Sequence, residues 1–148
     1  MFPQRIRKIF DSYKYFLLIF VTVSIFFYPV FRGNIPFPGD LLVSFYEPYR
    51  AYPLDGYAPG SVPSKDQGAD VARHIFPWKK FTIDTLKNGQ IPFWDPYNFS
   101  GNPLMANFQS AVFYPGNIVF FALPFNLAWT VYIFFILCLC IWQLLYIF

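Results

Sequence analysis

The chain has 148 residues, of which 56% are hydrophobic, 24% aromatic and 13% charged, with a net charge of +3. Soluble domains carry about 25% charged residues, so this chain lacks the charge to cover a water-facing globular surface. Its apolar residues also sit in blocks, and no charged residue follows Asp95; these features exclude an ordinary soluble domain and point to lipid or a large protein partner.

Residues 1–14 form a basic N-terminus containing Arg5, Arg7, Lys8 and Lys14. Residues 15–31 are uncharged and rich in Leu, Ile, Val and Phe, which predicts a first transmembrane helix near the lower length limit of about 17 residues. Lys14 and Arg32 flank the block and can snorkel. No A-x-A-like cleavage site follows, so a signal anchor is expected rather than a cleaved signal peptide. The four basic residues place the N-terminus in the cytoplasm.

Residues 32–126 are expected to form a large extracytoplasmic loop domain. Pro36, Pro38-Gly39, Pro53, Pro59-Gly60 and Pro63 leave little room for long elements in its first half. Tyr46, Tyr49, Tyr52 and Tyr57 run through this stretch and suit an interfacial belt or sugar stacking. An amphipathic helix is predicted over residues 70–88. Val71, Ile75, Trp78, Thr82 and Leu86 line its apolar face, and Arg73, Lys80, Asp84 and Lys87 line the opposite one. Pro77 should kink or split it, and Asn88-Gly89 should stop it. The expected placement is flat on the bilayer surface.

Residues 91–115 show no steady period and are dense in Pro, Asn and aromatics. They predict an irregular but packed segment, with Trp94, Tyr97 and Phe113 largely buried and Gly101 in a tight turn. Ile118 to Leu123 is too short to span and suits a dipping or interfacial turn. Residues 127–148 are uncharged and predict a second transmembrane helix. No Lys or Arg follows to anchor its cytoplasmic end, so the expectation is the N-terminal piece of a longer polytopic protein. Cys138 and Cys140 are two apart on this helix, point in different directions, and are read as packing or lipid-facing residues.

The familiar soluble catalytic motifs are absent. His74 is the only histidine, so no metal site is expected, and no cofactor can be named. Candidates for proton transfer are therefore carboxylates. Asp40, just past the first span, suits either a general base or the opening of a helix or turn. Asp66 and Asp70 lie near the start of the amphipathic helix, where Asp70 suits a pair with His74 or a charge at the helix N-terminus. Asp95, between Trp94 and Pro96, suits an Asx-turn. Trp78, Trp94, Tyr97 and Phe99 suit stacking on a saccharide or lipid tail, or interfacial packing. Lys79 and Lys80 suit a phosphate headgroup.

The stretch from Asp66 to Pro124 resembles the N-terminal region of YfhO-like bacterial membrane proteins. Asp70 is followed by HIFPWKK, then GQIPFWDPYNFSGNPLMANFQSAVFYP, where members read S-D-x-x-x-Q-x-Y-P-W-R, G-x-(I/L)-P-L-W-N-P-Y and G-x-P-x-x-A-N-x-Q-S-A-V-F-Y-P. His74, Phe76 and Asp95 depart from the usual Gln, Tyr and Asn. The resemblance implies an α-helical integral membrane protein, part of a polytopic fold like the GT-C-type glycosyltransferases, multi-pass in the cell membrane. It also implies transfer of sugar from a polyprenyl-phosphate donor on the outer membrane face, for cell-envelope glycosylation. Asp40 is then the catalytic base by position and Asp70 the alternative, with Trp78, Lys79, Lys80, Trp94 and Tyr97 toward the substrate. The expected partners are the lipid bilayer, the donor and the remaining helices of a full-length protein, with no nucleic acid. A non-catalytic scaffold or lipid-binding protein is the competing class.

Overall fold

The computed structural model describes residues 4–46, 51, 68–98 and 100–147. The described residues are mostly helical, with no β-strand and only one isolated bridge, Asp95 with Asn102. The chain divides into two compact units: residues 1–36 with 122–148, and residues 37–121.

The first unit is built from α1 (Gln4–Phe26) and α5 (Phe125–Ile147). Pro29 lacks an N–H and disfavours helical backbone in the residue before it, so α1 stops at Phe26. A 3₁₀ turn over Tyr28–Arg32 follows, closed by Gly33 in the left-handed region. The expected span over residues 15–31 is therefore not one continuous α-helix. Its apolar helical part, Tyr13–Phe26, measures only about 21 Å at 1.5 Å per residue. By contrast, Phe125–Leu144 is 20 residues long with mean hydropathy 2.1, enough to cross a hydrocarbon layer about 30 Å thick.

The two helices run antiparallel. Phe16 meets Trp142, whereas Phe20 and Phe27 both meet Phe134, at centroid distances of 5.6, 5.3 and 6.2 Å. Ile19, Val23 and Cys138 form the buried seam. Cys140 is exposed, as a two-residue offset on a helix requires. Away from the seam, Leu17, Leu18, Ile25, Phe135 and Leu139 are also exposed, so the pair is apolar outside as well as inside. The hydroxyls of Thr22, Ser24 and Thr130 donate to carbonyls four residues back, which satisfies them without water. Trp129 Nε1 donates to the Pro36 carbonyl at 3.1 Å, tying the start of α5 to the chain that follows α1.

The second unit contains α2 (Asp40–Phe45), a π-helical turn (Val71–Ile75), α3 (Phe76–Lys87) and α4 (Val119–Ala122), whose last residue already belongs to the first unit. The predicted helix over 70–88 is present but split ahead of Pro77, with the π turn on one side and α3 on the other. Asn88-Gly89 ends it as expected. Gly89, at φ +73°, donates to Leu86, and Gln90 donates to Thr85, the paired bonds of a Schellman stop. The buried face is displaced from the predicted one: Ala72, Trp78, Lys79, Thr82 and Ile83 are buried, while Val71, Ile75 and Leu86 are only half-buried. Leu41, Leu104, Val112 and Phe120 complete the unit's core.

Candidate functional site

Asp40 is the first residue of α2, half-buried, and its Oδ1 accepts from the Leu41 N–H at 3.1 Å. It thus opens a helix, one of the two readings its Pro-Gly-Asp context allows. Asp70 precedes the π turn and is exposed. The two carboxylates are thirty residues apart in sequence, yet the segments carrying them abut. A Cβ on Gly68 would lie 2.9 Å from Leu41 Cδ1 and 3.2 Å from Pro38 Cβ, so a larger residue there would push against this approach. Phe37 and Phe76 close the same joint, with ring centroids 4.5 Å apart. His74 is half-buried, its ring 5.1 Å from that of Trp78. Asp66, Tyr49, Tyr52, Tyr57 and Phe99 lie outside the described residues, and Tyr46 is exposed.

The five residues expected toward substrate do not share one surface. Trp78 and Lys79 are turned into the unit, whereas Lys80, Trp94 and Tyr97 are exposed. Lys80 pairs with Asp84 one helical turn on. Tyr97 is 79% exposed and meets Phe81 edge-on. Trp94 is 54% exposed and covers Gly101, where an added Cβ would lie 2.4 Å from the indole nitrogen. Phe113 is 66% exposed. The expectation that Trp94, Tyr97 and Phe113 are buried is therefore overturned, while the tight turn at Gly101 is present, with φ +107° and its N–H donating to Asn98.

Beside its apolar core, the unit's interior holds several polar side chains. Lys79 Nζ donates to Asn117 Oδ1 at 2.9 Å and to the Ser110 carbonyl at 3.3 Å. Burial pushes its ammonium down to about 8, because desolvation disfavours the charged form. Asn117 Nδ2 donates to the carbonyls of Ala111 and Val112. Ser110 Oγ reaches the carbonyls of Leu104 and Asn107, and Asn107 Oδ1 accepts from the Gln109 N–H to start a 3₁₀ turn. Asp95 is buried, and its carboxylate accepts from Tyr97 N–H and Asn98 Nδ2 at 2.9 and 2.7 Å. This is the Asx-turn its sequence context suggests.

The polar residues within ANFQSAVFYPGN are thus internal ties that order an irregular segment. Sequence reading missed Asn107, Ser110 and Asn117, and it read Lys79 as a headgroup ligand. The available signal was that Lys79 lies four residues past Ile75 and seven past Ala72, on the face that is buried. Among the described residues no three His, Cys, Asp or Glu side chains gather as metal ligands. Compared with protein families, curated proteins and solved structures, the chain gives no match.

Proposed function

We propose that this chain supplies the first outer loop and its flanking spans to a multi-pass membrane glycosyltransferase-like protein. That protein uses a polyprenyl-phosphate-linked sugar on the outer membrane face for cell-envelope glycosylation. Asp40 is the general base: its carboxylate takes the acceptor hydroxyl proton as the acceptor oxygen bonds to the sugar C1. The C1–O bond to phosphate breaks, and the polyprenyl phosphate leaves with the bonding electrons.

The observation that carries this reading is the joint held by Gly68, Leu41 and Pro38. It brings the segments bearing both candidate carboxylates together at the start of the unit between the two helices. Supporting it are the antiparallel apolar pair α1 and α5 and the basic N-terminus, which suit two spans with a cytoplasmic N-terminus. The first crossing would join α1 to the 3₁₀ turn over Tyr28–Arg32, which adds about 10 Å of chain at 2 Å per residue.

The test is sugar transfer in membranes carrying the complete gene product with Asp40→Asn or Asp70→Asn, at matched expression. Loss of a general base costs about 10²–10⁴-fold in rate. A loss of that size confined to Asp40→Asn is the expected result. Loss confined to Asp70→Asn transfers the role to Asp70. Activity in both variants favours the second reading, a non-catalytic scaffold or lipid-binding protein. The outward aromatics of the 37–121 unit are the observation behind that alternative.

A further inference from the structure

Residues 104–121 turn several polar side chains inward and several large apolar ones outward. Their polar side chains Asn107, Ser110 and Asn117 are turned inward or bonded within the segment, and Lys79 reaches in from α3 to join them. Their apolar side chains divide: Leu104, Val112 and Phe120 are buried in the unit's core, whereas Phe108 is 98% exposed, Phe113 66% and Ile118 72%. A water-facing surface built this way would leave three large apolar groups in solvent with no charged residue anywhere in the segment. Surfaces of that kind mark contact with a membrane or a protein.

The occupant follows from chain continuity. Phe121, itself 49% exposed, is separated from the start of α5 by only residues 122–124. Helix α5 is long enough to cross a bilayer, its exterior is apolar, and 22% of its span is buried. Once α5 crosses, its first residues stand at the level of the headgroups, and Phe121 lies only four residues along the chain from Phe125, the first of them. An uncharged surface of aromatic and aliphatic side chains, with Asn107, Ser110 and Asn117 satisfied internally, is chemically suited to that zone.

We infer that the 104–121 segment is a bilayer-interface anchor, in which Phe108, Phe113 and Ile118 insert at the headgroup–acyl boundary of a phospholipid membrane. This rests on α5 spanning the membrane, but not on the identity of the transferred sugar or on Asp40. The anchor holds the loop unit at the membrane surface rather than letting it hang from its two connections.

The test uses the chain reconstituted into phosphatidylcholine–phosphatidylglycerol vesicles, with Cys138 and Cys140 replaced by alanine. Single cysteines at Phe108→Cys, Phe113→Cys and Ile118→Cys carry an environment-sensitive fluorophore. Leu139→Cys serves as the deep control and Lys87→Cys as the aqueous one. Expected is loss of most emission at 108, 113 and 118 to shallow spin-labelled lipid and little loss to aqueous iodide, with Lys87 showing the reverse. Iodide quenching at the three sites overturns the inference, and deep-lipid quenching at Leu139 in the same vesicles shows that the spanning reading survives. Shielding from both quenchers also overturns it, because protein then covers the segment. Absence of lipid quenching at Leu139 removes both readings. Where a labelled variant aggregates, Phe113→Trp and Phe108→Trp with brominated lipid read the same contact through side chains close to the native size.

Discussion

Lys79 shows how burial changes what a residue type means. Beside Lys80 it reads as half of a basic pair suited to a phosphate, and only Lys80 is exposed to meet one. Lys79 instead donates to Asn117 Oδ1 and the Ser110 carbonyl inside the unit. Removing it orphans those acceptors, which costs about 1–3 kcal/mol per unsatisfied group, partly offset by the desolvation penalty that disappears with the charge. Its ammonium is pushed down from 10.5 to about 8, so between those values the unfolded chain holds a proton that the folded chain has released. Stability therefore rises as pH climbs from about 8 to about 10.5 and is lost as pH falls through 8. The expected outcome is that Lys79→Met lowers the melting midpoint in detergent. The gap to the wild type should widen across that pH window. An unchanged gap would show that Lys79 does not titrate through folding.

At the scale of elements, the pairing of α1 with α5 is set by which side chains meet rather than by hydropathy, since the paired stretches, Tyr13–Phe26 and Phe125–Leu144, are both apolar. On the proposed two-span reading, the surrounding hydrocarbon would offer no hydrophobic drive, so close packing would hold such a pair. The seam of Ile19, Val23 and Cys138 supplies it, flanked by edge-to-face rings. This predicts a specific crosslink. Ile19→Cys should join native Cys138 through a short bismaleimide when Cys140 is replaced by alanine. The same Ile19→Cys should fail to join Cys140 when Cys138 is replaced. Equal yields in both backgrounds would refute the assigned face. The division of the 70–88 helix has an equally local cause, because Pro77 cannot donate to the carbonyl four residues back and the chain takes a wider π turn before it.

On the scale of the whole molecule, the chain leaves one apolar helix, builds a unit of 85 residues and enters a second apolar helix antiparallel to the first. Both outer ends of the helix pair therefore lie on one side. On the proposed two-span reading, the four basic residues at the N-terminus would make that side the cytoplasmic one by the positive-inside rule. A membrane-impermeant maleimide added to intact cells should modify Lys87→Cys, in a background lacking Cys138 and Cys140. Ser12→Cys should react only after permeabilisation. Labelling in the opposite pattern would invert the topology and move Asp40 away from the outer face.

Much of this was legible in the chain itself, because it depends on local chemistry. The apolar character of α5 follows from an uncharged run, the helix stop from Asn88-Gly89, the split from Pro77, the Asx-turn from Asp95, and the tight turn from Gly101. Each is set by a residue and its immediate neighbours. The tertiary structure alone decided which residues fill the 37–121 unit. Trp94, Tyr97 and Phe113 were expected inside from the density of Pro, Asn and aromatics around them, yet they are exposed, and Lys79, Ser110 and Asn117 are buried beside the apolar core. An irregular segment has many backbone carbonyls that no helix or strand satisfies, and buried carbonyls need donors. Lys79, Ser110 and Asn117 meet that need here, and the partners they choose lie up to 38 residues away, beyond the reach of any sequence window. The approach of the Asp40 and Asp70 segments is of the same kind, since it depends on Gly68 meeting Leu41 and Pro38 across the chain.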